Sequence, residues 1–239
     1  MRKLVIIPTY NERENIAAMV AKVFSLEGYF HLLVIDDGSP DGTAEIVRTL
    51  QRTYPERLFL IERSGKLGLG TAYIAGFKWA LAHDYDAVFE MDCDFSHNPN
   101  DLLRLTEAME EGADIAVGSR YVTGVNVVNW PLSRLLISYF ASKYVRLITR
   151  MPVNDATAGF VGYRREVLQN IDLDKVEMVG YGFQIEMKYT AWRLGFTIRE
   201  VSIIFVDRVA GSSKMSSGIF GEAFFGVLKL PFRRIKRIK

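Results

Sequence analysis

Two aspartates one residue apart, Asp92 and Asp94, follow the apolar run Ala87-Val88-Phe89. Residues two apart on an extended chain share a side, so both carboxylates can face one space just past the end of a short buried strand. Held that close they repel, and a divalent cation beside them makes the arrangement sensible. Mg²⁺ or Mn²⁺ suits oxygen ligands and completes its shell with water and phosphate oxygens. A solvated acidic turn has the same pattern, so the weight of the pair rests on its company. Two other polar clusters provide it: Pro8-Thr9-Tyr10-Asn11-Glu12 and Asp36-Asp37-Gly38-Ser39-Pro40-Asp41-Gly42. Each follows a continuous apolar run, Leu4-Val5-Ile6-Ile7 and Leu32-Leu33-Val34-Ile35, of the kind found in strands buried on both faces of a parallel sheet.

The elements that must position these clusters alternate. Asn11 and Glu14 resemble a capping box ahead of Ile16, Met19, Val20 and Val23 at helical spacing. A second helix carries Ala44, Val47 and Leu50, and Leu58 to Ile61 gives a third strand. Gly68-x-Gly70 opens a helix to about Ala82; a dinucleotide fingerprint would need its glycines directly after the first strand, so these two read as a close-packed loop and helix start. Beyond Asp94 come a helix from Pro99 and Asp101 to about Glu111, a strand Ile115 to Gly118 delivering Ser119-Arg120-Tyr121, and a turn Asp155 to Phe160 leading into the strand Val161-Gly162-Tyr163. Glu177 to Arg193 holds a helix bearing Gln184 and Glu186, and Ile203 to Val206 a last strand. This order predicts one α/β domain: a doubly wound, mostly parallel sheet with helices on both faces, whose ligand crevice lies at the carboxyl ends of the strands. All three polar clusters sit at such ends.

Residues 130 to 150 form a long apolar helical segment punctuated by Arg134, Lys143, Arg146 and Arg150. It reads either as a core helix with snorkelling cations or as an apolar surface lying on a bilayer. The chain of 239 residues is 49% hydrophobic and 24% charged, an ordinary globular balance. One cysteine, Cys93, excludes an intramolecular disulfide and fits a reducing compartment. No signal pattern or spanning apolar stretch occurs, so a cytoplasmic protein is expected. Net charge is +2, but Lys229, Arg233, Arg234, Lys236, Arg237 and Lys239 are six of the basic residues; the remaining 24 face 28 acidic ones. The body is thus mildly acidic, which argues against nucleic acid, and the basic end suits an anionic membrane face.

With these motifs in order, the chain resembles inverting glycosyltransferases of family 2 with the nucleotide-sugar-binding GT-A fold, and more narrowly the dolichyl-phosphate (polyprenyl-phosphate) mannose synthases. The resemblance rests on Pro8 to Glu12, Asp36 to Thr43, Gly68 to Ala72, Met91 to His97, Gly118 to Tyr121 and Phe205-x-x-Arg208-x-x-Gly211-x-Ser213-Lys214. It implies a catalytic domain over residues 1–215 and a membrane-proximal amphipathic, basic tail over 216–239. It implies that Pro8, Tyr10, Glu12, Ile35 and Asp37 hold the nucleoside of GDP-mannose, and that the Asp92-Cys93-Asp94 segment takes the metal and diphosphate, with Asp92 contacting nucleoside or sugar. Asp94 is the principal metal ligand, with Asp92 and Ser96 beside it, although serine at position 96 is a poor ligand. Arg208 and Lys214 would lie on a loop closing over the diphosphate. Arg120, Arg134 and Ser138 are candidates for the acceptor phosphate, since planar guanidinium grips phosphate bidentately. Asp155 serves either as a base or as the group orienting arginine or sugar. The expected reaction moves mannose to a polyprenyl phosphate at the inner face of a membrane, with or without a small membrane partner protein. A UDP-glucose or UDP-N-acetylglucosamine donor is the nearest alternative.

Overall fold

The computed structural model describes residues 1–180, 182–207 and 217–238. Its elements run β1 (Lys3–Thr9), α1 (Ile16–Phe24), β2 (Phe30–Asp36), α2 (Thr43–Thr53), β3 (Leu58–Glu62), α3 (Leu69–Ala82), β4 (Ala87–Glu90), α4 (Asp101–Glu110), β5 (Ile115–Ser119), β6 (Val127–Val128), α5 (Leu132–Thr149), β7 (Val161–Arg164), α6 (Arg165–Asn170), α7 (Gly182–Arg193), β8 (Ile198–Ser202), β9 (Phe205–Val206) and α8 (Ser217–Lys229). Seven strands form one sheet in the order β3-β2-β1-β4-β7-β5-β8, and β6 pairs with β9 apart from it. All pairs in the large sheet are parallel except those of β7, which runs antiparallel to β4 and β5.

Strand alternation builds the two cores. Leu4, Ile6, Leu33, Ile35, Val88 and Val117 pack one face of the sheet against α3, α6 and α7. Val5, Ile7, Leu32, Val34, Phe89 and Ala116 pack the other against α1, α2 and α4. Helix α3 lies close on the sheet because Gly76 has no side chain; a Cβ there would stand 2.6 Å from Ile6 Cδ1. Gly68 has φ +104°, and a Cβ on Gly70 would meet the Phe183 ring at 2.8 Å, so both glycines serve packing and turning. A third core joins α5, α7 and α8 through Val145, Met178, Ile185, Tyr189, Val227 and Leu230.

Two local expectations are corrected. The first helix begins at Ile16, with no side-chain cap from its N-cap Asn15. Asn11 instead takes a left-handed backbone at φ 57° and its N–H donates to Ser39 Oγ at 3.0 Å, so it ties two loops together rather than capping. The strand Ile198–Ser202, half-buried at the sheet edge, precedes the short β9, and residues 203 and 204 only connect them. Residues 217–238 are anchored to the domain: Val227 and Leu230 are fully buried, and Arg233 is paired with Glu177 (2.5 Å) and Glu186. No helix among the described residues is long and apolar enough to cross a membrane.

Candidate active site

β4 leads straight into the aspartate pair. Met91 N–H still donates to the Ile6 carbonyl at 3.2 Å, so the loop leaves the sheet anchored to β1. Asp92 N–H then donates to His97 Nδ1 at 3.4 Å and Ser96 N–H to Asp94 Oδ1 at 3.1 Å, while Phe95 takes φ 60°. His97 is packed against the rings of Phe160 and Phe205. Burial pushes its imidazole down to about 4, against the pull of Asp94, so the ring is neutral at pH 7 and its Nδ1 can accept. The turn leaves Asp92 and Asp94 part-exposed on the wall of a cavity of about 690 Å³. Cys93 between them points the other way, into the core beneath α4.

Among the described residues, no group of three or more His, Cys, Asp and Glu is gathered into a metal cage. Two carboxylates on an open wall instead fit a hard ion that keeps water and takes substrate oxygens for the rest of its shell. Ser96 does not join them at the cavity: it is 3% exposed, and its backbone braces the turn, its N–H on Asp94 and its carbonyl accepting from Val206 N–H.

The facing wall is basic. β7 runs against its neighbours, so the turn that enters it, Asp155 to Phe160, arrives at the carboxyl ends of β4 and β5. There Asp155, with no exposed surface, grips Arg120 through Nε (2.7 Å), Nη2 (2.6 Å) and the backbone N–H (2.9 Å). Arg120 Nη2 also donates to Thr157 Oγ1 at 2.9 Å. Burial pushes the Asp155 carboxyl up, but the Arg120 charge and hydrogen bonds outweigh it and hold the group below the usual range. Of the two roles the sequence left open for Asp155, this geometry is the one in which the carboxylate is engaged by Arg120. Arg134 donates to Asp207 Oδ1 at 2.7 Å, and Ser138 accepts from the Tyr121 hydroxyl at 2.9 Å. Both guanidinium groups lie on Trp130, Arg120 at 5.4 Å and Arg134 at 4.3 Å from the ring centre. Arg120, Arg134 and Ser138 all line the same cavity as the aspartates. Its remaining wall is largely apolar, from Ile137, Phe140 and Tyr144 of α5 and Phe224 and Val227 of α8.

The β1 and β2 loops lie on the same edge of the sheet but do not line this cavity. Pro8 pairs in register with Ile35, which is fully buried. Asp37 N–H donates to Thr9 O at 3.0 Å, and its carboxylate meets Arg63 at 2.6 Å. Burial moves this carboxyl upward, with Arg63 opposing. Glu12 N–H donates to Thr43 Oγ1 at 3.0 Å, and Lys66 sits 5.5 Å over the Tyr10 ring. Arg208 and Lys214 lie outside the described residues.

Several cavity residues carried no assignment from sequence: Tyr73, His97, Trp130, Thr157 and Gln184. Tyr73 and Gln184 sit in helices whose spacing reads as core, so only the packing of α3 against α7 reveals them. Beneath them lie two more charges, Glu90 and Lys188, both without exposed surface. Burial pushes Glu90 up to about 8 and Lys188 down to about 8, each held back by the other. An acid closing a strand and a lysine on an otherwise inward helix face were the available signals.

Residues 4–172 match the family model described as glycosyl transferase family 2. The chain belongs to that family. This family 2 glycosyltransferase is 47% identical over 232 residues to a polyprenol monophosphomannose synthase of Mycolicibacterium smegmatis, covering 97% of this chain and 88% of the relative. It is 46% identical to an undecaprenyl-phosphate mannosyltransferase of Micrococcus luteus, covering 96% and 93%. Its fold matches glucosyl-3-phosphoglycerate synthase of Mycobacterium tuberculosis in complex with Mn²⁺, UDP and glucosyl-3-phosphoglycerate (TM-score 0.66, 20% identity, 97% of this chain and 78% of that one). It also matches a mannosyltransferase of Pyrobaculum calidifontis in complex with GDP-mannose and Mn²⁺ (TM-score 0.57, 16% identity, 96% and 69%). At such identities the two structures speak for the GT-A-like architecture alone, and that agrees with the doubly wound single domain expected from the sequence.

Proposed function

We infer that this glycosyltransferase moves mannose from GDP-mannose to a polyprenyl phosphate, inverting the anomeric centre to give a polyprenyl β-mannosyl phosphate. The observation that carries this reading is one cavity with three chemistries: the carboxylates of Asp92 and Asp94, the guanidinium pair Arg120 and Arg134, and an apolar remainder between α5 and α8. A nucleotide sugar, a phosphate monoester and a prenyl chain each find a matching surface. The two mannosyltransferase relatives at 46–47% identity support the same assignment.

Asp94 and Asp92 would hold Mg²⁺ or Mn²⁺, which supplies charge neutralisation to the diphosphate as it departs. Pro8, Tyr10, Glu12, Ile35 and Asp37 hold the nucleoside at the adjacent strand ends, and Arg208 and Lys214 add positive charge at the diphosphate. Arg120 and Arg134, with Ser138, receive the acceptor phosphate. A phosphate monoester has its second pKa near 6, so it attacks without a general base. Asp155 then has one duty, to keep Arg120 aimed. Leu132, Phe140 and Leu147 of α5, Phe225 of α8 and Phe232 are exposed, as are the cations Lys143, Lys229, Arg234 and Lys236, a combination suited to the inner surface of a membrane where the lipid acceptor lies.

The test is transfer of labelled sugar to a short polyprenyl phosphate, with GDP-mannose, UDP-glucose and UDP-N-acetylglucosamine as rival donors and Mn²⁺ or Mg²⁺ added or chelated. Metal-dependent transfer from GDP-mannose is expected. Transfer from a UDP-sugar alone would replace the donor assignment, and no transfer to the lipid phosphate would overturn the reading.

A further inference from the structure

Lys188 of α7 is buried without exposed surface, yet nothing in the transfer reaction touches it. Its Nζ donates to the Ala158 carbonyl at 2.7 Å and lies 3.5 Å from Gln184 Oε1, one turn earlier on the same helix. Ala158 N–H in turn donates to the Asp155 carbonyl at 3.3 Å, closing the turn whose carboxylate grips Arg120. The charges that act on Lys188 come from both sides of the cavity: Glu90 beneath the aspartate pair, Asp155 and Arg120 beneath the opposite wall, and Glu200 of β8. Glu200 itself accepts from the backbone N–H groups of Asn154 (2.8 Å) and Asp155 (2.9 Å), bracing the same turn from the other side.

A buried ammonium is costly, and a well-packed apolar residue of similar volume often serves stability as well or better. Its position here is therefore informative. The turn at 155–158 has few backbone bonds of its own, and Lys188 and Glu200 hold it at two points.

We propose that Lys188 is a positioning residue for the acceptor: through the Ala158 carbonyl it fixes the 155–158 turn, and so sets the Asp155–Arg120 pair at the spacing the acceptor phosphate requires. Glu90 acts on Lys188 through space, with no hydrogen bond between them, and has no part in holding the acceptor. The proposal rests on the assignment of Arg120 to a lipid phosphate given above.

The test removes the charge-balance effect first. Glu90→Gln serves as the background, keeping the Lys188 ammonium beside a neutral side chain, and Lys188→Met is added to it, so that the double variant leaves no buried carboxylate without its cation. Both are compared with the wild-type chain for melting temperature, for KM toward GDP-mannose and toward a short polyprenyl phosphate, and for calorimetric binding of farnesyl phosphate without donor. The double variant is expected to melt within a few degrees of Glu90→Gln. Its acceptor KM and its farnesyl phosphate Kd are expected to rise about tenfold, with the GDP-mannose KM within twofold. Equal acceptor affinity in the two variants, or a matching loss on the donor side, would overturn the proposal. Failure of the functional reading looks different: the wild-type chain itself would not transfer mannose to the lipid phosphate, while farnesyl phosphate binding would still read the contrast between the variants.

Discussion

At the scale of single residues, the proposed reaction divides the site into groups that would meet substrate and groups that hold those groups still. Asp94 is of the first kind: Asp94→Asn is expected to lower transfer about 10²–10³-fold, the size of loss seen when one preorganised electrostatic contact is removed. Its Tm should hardly move, because the side chain is part-exposed. Asp155 is of the second kind. Asp155→Asn leaves Arg120 buried without its anion and should cost about 3–5 kcal/mol, read by urea unfolding. Because the folded pKa of Asp155 is depressed, its contribution is present above the ordinary carboxylate pKa near 3.8 and is lost as pH falls through the lower folded value. The difference in stability between wild type and Asp155→Asn should therefore shrink below pH 4. His31 gives a second pH effect. Burial, with Arg2 and Arg57 nearby, lowers its pKa from 6.5, so stability is full above 6.5 and declines as pH falls toward the folded value. His31→Gln should flatten that decline in melting temperature between pH 7 and 5.

Among the elements, α5 and α8 carry the apolar surface on which the proposed contact with lipid depends. Their apolar residues could be read from sequence as core or as surface, because spacing alone does not say what lies opposite a helix. Packing settles which side is inward: α5 buries only Ser142, Val145 and Thr149 and leaves Leu132, Phe140 and Leu147 outside. The basic end is also sorted by packing. Arg233 is taken up by Glu177 and Glu186, and Arg237 donates to the Leu194 carbonyl at 2.9 Å, so Lys229, Arg234 and Lys236 remain outward. Exchanging those three for serine should weaken sedimentation with anionic vesicles about 100-fold, at about 1 kcal/mol each, with melting temperature unchanged. Arg233→Ala should do the reverse: it leaves the buried Glu186 without its cation, costs about 3 kcal/mol and loosens α8, seen as faster hydrogen exchange there.

For the molecule as a whole, the parallel half of the fold was legible because its evidence is local. Leu4 to Ile7 and Leu32 to Ile35 are continuous apolar strands followed by polar loops, and each needs only its own segment to be recognised. The Asp92–Asp94 pair and Arg120 were legible for the same reason. What was not legible depends on pairing between distant segments. The reversal of β7, which carries Asp155 to Arg120, leaves no mark in the residues of either. The edge strand Ile198–Ser202 has one polar residue too many for a buried-strand pattern, since Arg199 and Glu200 face outward or toward the Asn154–Asp155 backbone. Glu90 and Lys188, nearly a hundred positions apart, influence each other only once α7 lies on the sheet.

Trp130 packs on both Arg120 and Arg134, the arginines proposed to receive the acceptor, whereas Trp79 and Trp192 lie off the cavity wall. An anion drawing those arginines toward itself must change what the indole sees. The enzyme thus carries its own optical gauge: ultraviolet emission should shift when a prenyl phosphate arrives, stay flat in Trp130→Phe, and report occupancy in real time with no label attached.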